Sequence, residues 1–394
     1  MRRLVTFFLV IPLLGAAAAP AAAQSPTEEL LAGMVTEEVE PGVFRVLNDG
    51  VRDPTHPVPG YPSATVDVTP DGDVWLAGDE GRQGLFRLGD ERVSEDRVAL
   101  YREVAPDGSL WGIGEVSDWN DGIYSFDGEG WTLRATTTDD DLWALALGPD
   151  GTAWLAAMDR DKHCPDTDDS DCIGTVLLRV EDDGSVATVD DWADVYDGDV
   201  AWDELAVSPD GDVWLVGMVR WDGPDAKALL RFDGREWEAI PGPDGFINNS
   251  MGQSIAFGPD GTLWVHSRDP EGDDWNSAGL ARFDDPGWTT FTEADGVQNW
   301  GGQGFLATDL LGVAPDGSLW MNGAPGGSGC GGVDHYDGKT WSTFLRESCV
   351  HDLALAQDGS VWVRADVVAG SWNSNAWDVG LYVITPEAVA ASES

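Results

Sequence analysis

Seven times the chain writes the same short phrase, most legibly at 254–267, SIAFGPDGTLWVHS. An alternating apolar run (Ile255, Phe257) stops at Pro259-Asp260-Gly261, and a second run (Leu263, Val265) restarts around Trp264. Proline presets the first turn angle, aspartate bonds its own backbone, and glycine takes the positive φ that closes a hairpin, so the phrase predicts strand, tight turn, strand. The turn glycines are Gly72, Gly108, Gly151, Gly211, Gly261, Gly317 and Gly359. Their mean spacing of about 48 residues is that of a four-stranded propeller blade. Each is followed three residues on by a tryptophan: Trp75, Trp111, Trp154, Trp214, Trp264, Trp320 and Trp362. A residue repeated in every blade packs blade against blade. With 20 tryptophans in 394 residues, aromatic rings can supply most of a core built from short strands, which excludes a disordered chain.

A second hairpin of lower fidelity follows each first one, as in GIYSFDGEGWTLR (122–134) and ALLRFDGREWEAI (228–240), with an Asp-Gly turn between its strands. The seventh repeat lacks its fourth strand, since Gly380-Leu381-Tyr382-Val383-Ile384 runs into Pro386 and an Ala/Ser/Glu tail. An isolated apolar run at 43–47 is the substitute that would pair the two ends of the chain and leave no open seam. The expectation is therefore an all-β chain: a seven-bladed β-propeller of four-stranded blades over 63–386, closed by an N-terminal strand, with a tail at 387–394 that does not continue the sheet.

Ahead of the propeller, MRRLVTFFLVIPLLGAAAAPAAAQ has two arginines, an apolar stretch and small residues before Gln24. It reads as a signal peptide over 1–23, so the mature protein is expected to be secreted or extracytoplasmic, without membrane insertion. Residues 24–62 form a lead-in segment that holds the closing strand. Within it, PTEELLAGMVTEEVE is expected to be a short amphipathic helix, Thr27 capping it and Leu30, Leu31 and Met34 on one face. The formal charge of −49 repels phosphate backbones and anionic lipid headgroups, which argues against nucleic-acid or membrane partners. Four cysteines in an exported chain allow three pairings. The local one joins Cys164 to Cys172 and Cys330 to Cys349, each stapling a loop; the spacings do not suit a zinc finger. The loop CPDTDDSDC is acidic, yet it has no glycine or glutamate where an EF-hand needs them.

The repeat written as PDG-x-LW followed by RFDG-x-x-W resembles the propeller repeats of two-component-regulator sensor domains, and less closely those of the streptogramin (virginiamycin B) lyases. The resemblance covers about 64–384. The first family implies a sensing or binding module. In that family a membrane span and signalling domains follow the propeller, and none follows here, so signalling across a membrane in cis is not expected. The second implies a metal-assisted lyase or hydrolase. The lyase segment resembling Trp-Phe-Thr-Glu is replaced by Trp264-Val265-His266-Ser267, so a lyase or hydrolase is the alternative expectation rather than the leading one.

In antiparallel blades the Pro-Asp-Gly and Asp-Gly turns share one face, and the remaining connections share the other. The second face carries the long, variable segments, and with them Trp119, Trp221, Trp275, Trp300, Trp372 and Trp377; Trp275, Trp300 and Trp372 are the candidate aromatic rim. Two residues after the blade tryptophan the series Ala77, Ile113, Ala156, Val216 turns polar at His266, Asn322 and Arg364. The start of the innermost strand is polar too: Asp203 and Glu204, Gln253 and Ser254, Asp309, His351 and Asp352. These groups make either a ligand site at the axial mouth or a hydrated channel. The metal version uses His266 and His351 with Asp309 or Asp352. The leading expectation is a monomeric binding or sensor-type propeller that takes a protein, peptide or carbohydrate ligand; no cofactor is assigned, calcium being one that the acidic loops allow, as they equally allow sugars and cationic peptides.

Overall fold

The computed structural model describes residues 24–47, 65–77, 85–89, 92–94, 98–117, 120–137, 141–159, 174–181, 183–189, 200–219, 229–241, 254–268, 277–284, 287–291, 295, 311–322, 331–346, 348–367 and 379–392. Each Pro-Asp-Gly site is the tight turn the sequence predicts. At the fifth, Gly261 has φ 84° and donates its N–H to the Gly258 carbonyl at 2.9 Å. Asp260 accepts the Thr262 N–H at 3.0 Å. The aspartate thus closes the turn from its side chain while glycine supplies the backbone angle.

Six sheets have four antiparallel strands, the seventh has five, and together they form a seven-bladed β-propeller. The first strands of successive blades pack against one another in a closed ring, Ser348–Leu355 of blade seven against Thr65–Val68 of blade one included. Between blades lie apolar clusters, and each blade tryptophan joins the next blade. Trp214 packs with Ile255, Leu263 and Val265; Trp264 with Leu319, Met321 and Tyr336; Trp362 with Val66, Val74 and Leu76. Six of the seven are buried. Trp111 is half-buried, and the Arg134 guanidinium lies over its ring at 5.7 Å.

Closure follows the expected route. Blade seven runs Ser348–Leu355, Val361–Val367, Val379–Ile384, then the N-terminal Val43–Val46, in the register Val43↔Ile384 to Val46↔Leu381.

Two local expectations are corrected. The N-terminal helix is only Pro26–Ala32, and Ser25, not Thr27, caps it, in a capping box with Glu28. Thr27 is buried in the first turn, its N–H given to Asp358 at 3.2 Å. The chain then reaches β-branched Val35 and Thr36 and forms Thr36–Glu40, a fifth strand outside the closing one. Leu30, Leu31 and Met34 do share a face, which packs on the cluster that holds Val66, Leu88 and Trp362 across the joint between blades seven and one. At the other end, the tail forms a helix, Pro386–Ser392, with Ala388 and Val389 on the blade six–seven cluster. Gly42 has φ 72°, and a β-carbon there would meet the Ala388 β-carbon at 2.8 Å. The turn face is therefore partly covered by both terminal helices.

Candidate functional site

The ends of the described strands place the long connections. Segments 160–173, 220–228, 269–276 and 368–378 join second to third strands, and 241–253, 292–310 and 190–199 lead from one blade to the next. In antiparallel sheets all of these leave the face opposite the Pro-Asp-Gly turns. Trp275, Trp300, Trp372, Gln253, Asp309, Cys164 and Cys172 lie on them, and Cys330 lies between the strands Leu319–Asn322 and Val333–Tyr336; all are outside the described residues, as is the acidic loop. Cys349 begins the inner strand of blade seven and is disulfide-bonded, its partner outside the described residues.

The polar series on the second strands falls between blades. Side chains alternate along a strand, so His266, Asn322 and Arg364 share the faces of Trp264, Trp320 and Trp362, each turned to the next blade. They are 3 %, 6 % and 1 % exposed, and so occupy three successive joints: five to six, six to seven and seven to one. His266 stands opposite Ser254, and Arg364 opposite Asp352.

The inner strands of blades three, four and seven each carry an extra residue at one place, Trp143, Asp203 and His351, where the register shifts. Such bulges re-aim the neighbouring side chain. Beyond them, Glu204 accepts the Ile255 N–H of blade five at 2.9 Å. Asp352 accepts the Val66 N–H of blade one at 2.6 Å and its neighbour Leu353's at 2.9 Å. These carboxylates therefore fasten one blade's side chain to the next blade's innermost backbone. Asp121 does the same from blade two, accepting the Leu142 N–H at 3.1 Å.

Two acidic groups missing from the sequence reading lie on the innermost strands. Opposite each blade tryptophan the inner strand places Ala146, Ala206, Ala256, Gly312 or Ala354, but Asp67 in blade one and Glu103 in blade two. Glu103 is exposed although its strand is innermost. The protein surrounding the innermost strands and the Asp67 charge beside Glu103 push its pKa up to about 8. The signal was present in the position opposite Trp75 and Trp111, which the repeat otherwise keeps small.

Of the expected metal arrangement, Asp309 lies outside the described residues. Both Asp352 oxygens are engaged by main-chain donors, and His266 is buried between blades. Among the described residues, no three of His, Cys, Asp and Glu come together around a point that could hold an ion.

No protein-family model and no curated protein sequence matches the chain. Its propeller fold is shared with solved structures. The extracellular domain of a hybrid two-component system from B. thetaiotaomicron aligns with a TM-score of 0.52 at 12 % identity, over 84 % of this chain and 40 % of that one. The extracellular domain of a one-component system from the same organism gives 0.49 at 12 %, over 81 % and 37 %. The chain thus spans about two fifths of the length of these proteins. Among the described residues no helix is long and apolar enough to cross a membrane.

Proposed function

We propose that the protein is an exported binding or sensing propeller that engages a protein, peptide or carbohydrate through its long-loop face. The observation that supports this reading is the asymmetry of the two faces. One is made of tight turns overlaid by terminal helices; the other receives every long connection between described strands. A rigid ring that groups variable loops at one end is the arrangement in which binding residues gather. The inter-blade carboxylates at the same end hold the ring that the loops stand on. The shared fold with an extracellular domain of a two-component system agrees with this reading.

In the same proposal Trp275, Trp300 and Trp372 form the aromatic rim, and calcium binds through loop carboxylates. The proposal also takes the mature chain as a monomer lacking 1–23, with Cys164 joined to Cys172 and Cys330 to Cys349. Peptide mapping of the non-reduced protein recovers those two pairs if the local pairing is right.

The test is thermal melting of the mature protein against panels of oligosaccharides and peptides, with chelator and with 1 mM-scale calcium, repeated for Trp275→Ala, Trp300→Ala and Trp372→Ala. A ligand at about a hundredfold excess over Kd adds about 2.7 kcal/mol to stability. The expected result is a shift by at least one ligand class that the rim variants lose while their unliganded melting stays unchanged. A shift that all three variants retain overturns the rim assignment. No shift from any class overturns the binding reading.

A further inference from the structure

We propose that the third strand of blade six, Val333–Tyr336, carries a pH-responsive switch, in which protonation of His335 loosens the docking of the C-terminal helix on blade six. The repeat itself singles out the position. The residue opposite the blade tryptophan on the third strand is Arg87, Arg179, Arg231 or Arg282 in blades one, three, four and five. Three of these, Arg179, Arg231 and Arg282, hold a guanidinium 5.7 to 5.8 Å above their tryptophan ring. All four are partly exposed and face a carboxylate: Asp73, Glu181, Asp212 and Asp284. In blade six a titratable ring replaces the permanent cation. His335 stands opposite Trp320, with ring centroids 4.4 Å apart, and Phe344 lies at 6.5 Å.

Unlike the arginines, His335 is 1 % exposed and lacks their counter-ion. Ser318 stands where blades one and four have Asp73 and Asp212. Asp337 stands where blade five has Asp284, but it accepts the Lys339 and Thr340 N–H groups and the Thr340 hydroxyl. The Nε2 atom is buried and has no hydrogen-bond partner among the described residues. A bare ring nitrogen there costs little, whereas a buried N–H without an acceptor costs the full desolvation of the group.

The other nitrogen defines the neutral tautomer. Nδ1 lies 3.2 Å from Ser342 Oγ, which lies 3.1 Å from Ser392 Oγ in the C-terminal helix. Ser392 is 2.7 Å from the Val389 carbonyl. One hydroxyl has one proton, and the shorter contact takes it, so the chain runs Nδ1–H to Ser342, Ser342 to Ser392, Ser392 to Val389. Every donor is used, and Nε2 is left as a lone pair.

The charged groups around this pocket do not compensate a proton on Nε2. Asp316 and Asp337 attract a charged ring, but burial outweighs them and holds the imidazole below the ordinary histidine range. Asp334 lies on the opposite face of the strand, and Glu40, Arg346 and Glu387 sit on the surrounding elements. Glu40 is engaged by the Leu345 N–H. A folded-state pKa below the unfolded value means that stability is complete above about pH 6.5 and is lost as pH falls through the folded pKa. The loss falls on the cluster of Trp320 and Phe344, the same cluster that seats Ala388 and Val389.

The experiment is ¹⁵N-imidazole spectroscopy of the histidine-labelled full chain, with His335 assigned by its loss in His335→Phe, and amide exchange of residues 388–392 corrected for intrinsic rate. The expected result is an Nδ1–H tautomer at pH 7.5 and a protonation midpoint below 6.5. Between about pH 6.5 and that midpoint the helix should open up to about tenfold more per pH unit, the limit for one proton, levelling off below it, and His335→Phe should show no such change. An Nε2–H tautomer, a midpoint at or above 6.5, or identical pH dependence in the two proteins overturns the proposal. Should His335→Phe not fold, the assignment rests on His335→Gln, and the wild-type tautomer and midpoint decide.

Discussion

At the scale of single residues, the strand that carries His335 holds a second buried ionisable group whose cost runs the other way. Asp334 is 2 % exposed, and desolvation pushes its carboxyl up to about 6 even though Thr343 donates a 2.6 Å hydrogen bond to it. With the folded pKa above the unfolded one, its contribution is complete below about pH 3.8 and lost as pH rises through 6. Asp334→Asn should therefore stabilise the protein at pH 7.5 by about 1 to 3 kcal/mol, with no gain at pH 4. Urea unfolding at the two pH values measures it, and equal effects at both would refute the sign. Trp264→Ala should cost about 3 to 5 kcal/mol in the same assay, because its ring fills the joint between blades five and six. Trp264 was legible in the sequence as a packing residue because the repeat shows it seven times. Asp334 and His335 were not, since each breaks its repeat only once and a single departure does not say which way a side chain is solvated.

At the scale of elements, the blades were legible and their fastenings were not. Turn glycines, alternating runs and the missing fourth strand identify the ring and its closing strand. That closing strand has a neighbour, Thr36–Glu40, which reads as helix because Glu37, Glu38 and Glu40 suit either state; pairing with Val43–Val46 decides it. Removing 24–47 should uncover the edge at Val379–Ile384 and yield aggregates by light scattering; a soluble monomer of unchanged stability would contradict the closure. Carboxylates that reach across joints were visible as a polar series, but sequence could not separate a ligand-facing acid from one that satisfies a neighbour's backbone. Glu204→Ala leaves the Ile255 N–H without its acceptor and should cost about 1 to 3 kcal/mol, while ligand shifts on the long-loop face persist. Chemical denaturation measures the first effect and thermal shift the second.

At the scale of the whole molecule, a formal charge of −49 makes the folded ring repel itself, and raising ionic strength from about 0.01 M to 0.5 M should raise Tm by several degrees, as the screening length drops from about 30 Å to a few. A flat or falling Tm would mean that local ion pairs outweigh the global repulsion. The two ends of the chain meet at blade seven, and this sets the order of events during synthesis. The hydrogen bond from Thr27 to Asp358 joins residues 331 apart. Closing a loop that long costs only about 2 kcal/mol more than closing one of a single blade, so thermodynamics hardly notices the distance. Timing does: the closing strand Val43–Val46 must wait for Val379–Ile384, and until that strand leaves the ribosome every partly built ring has two raw edges. A nascent chain of this kind is safest when Val43–Val46 is kept from pairing with other edges early, and a stalled or truncated chain is a ready template for aggregation.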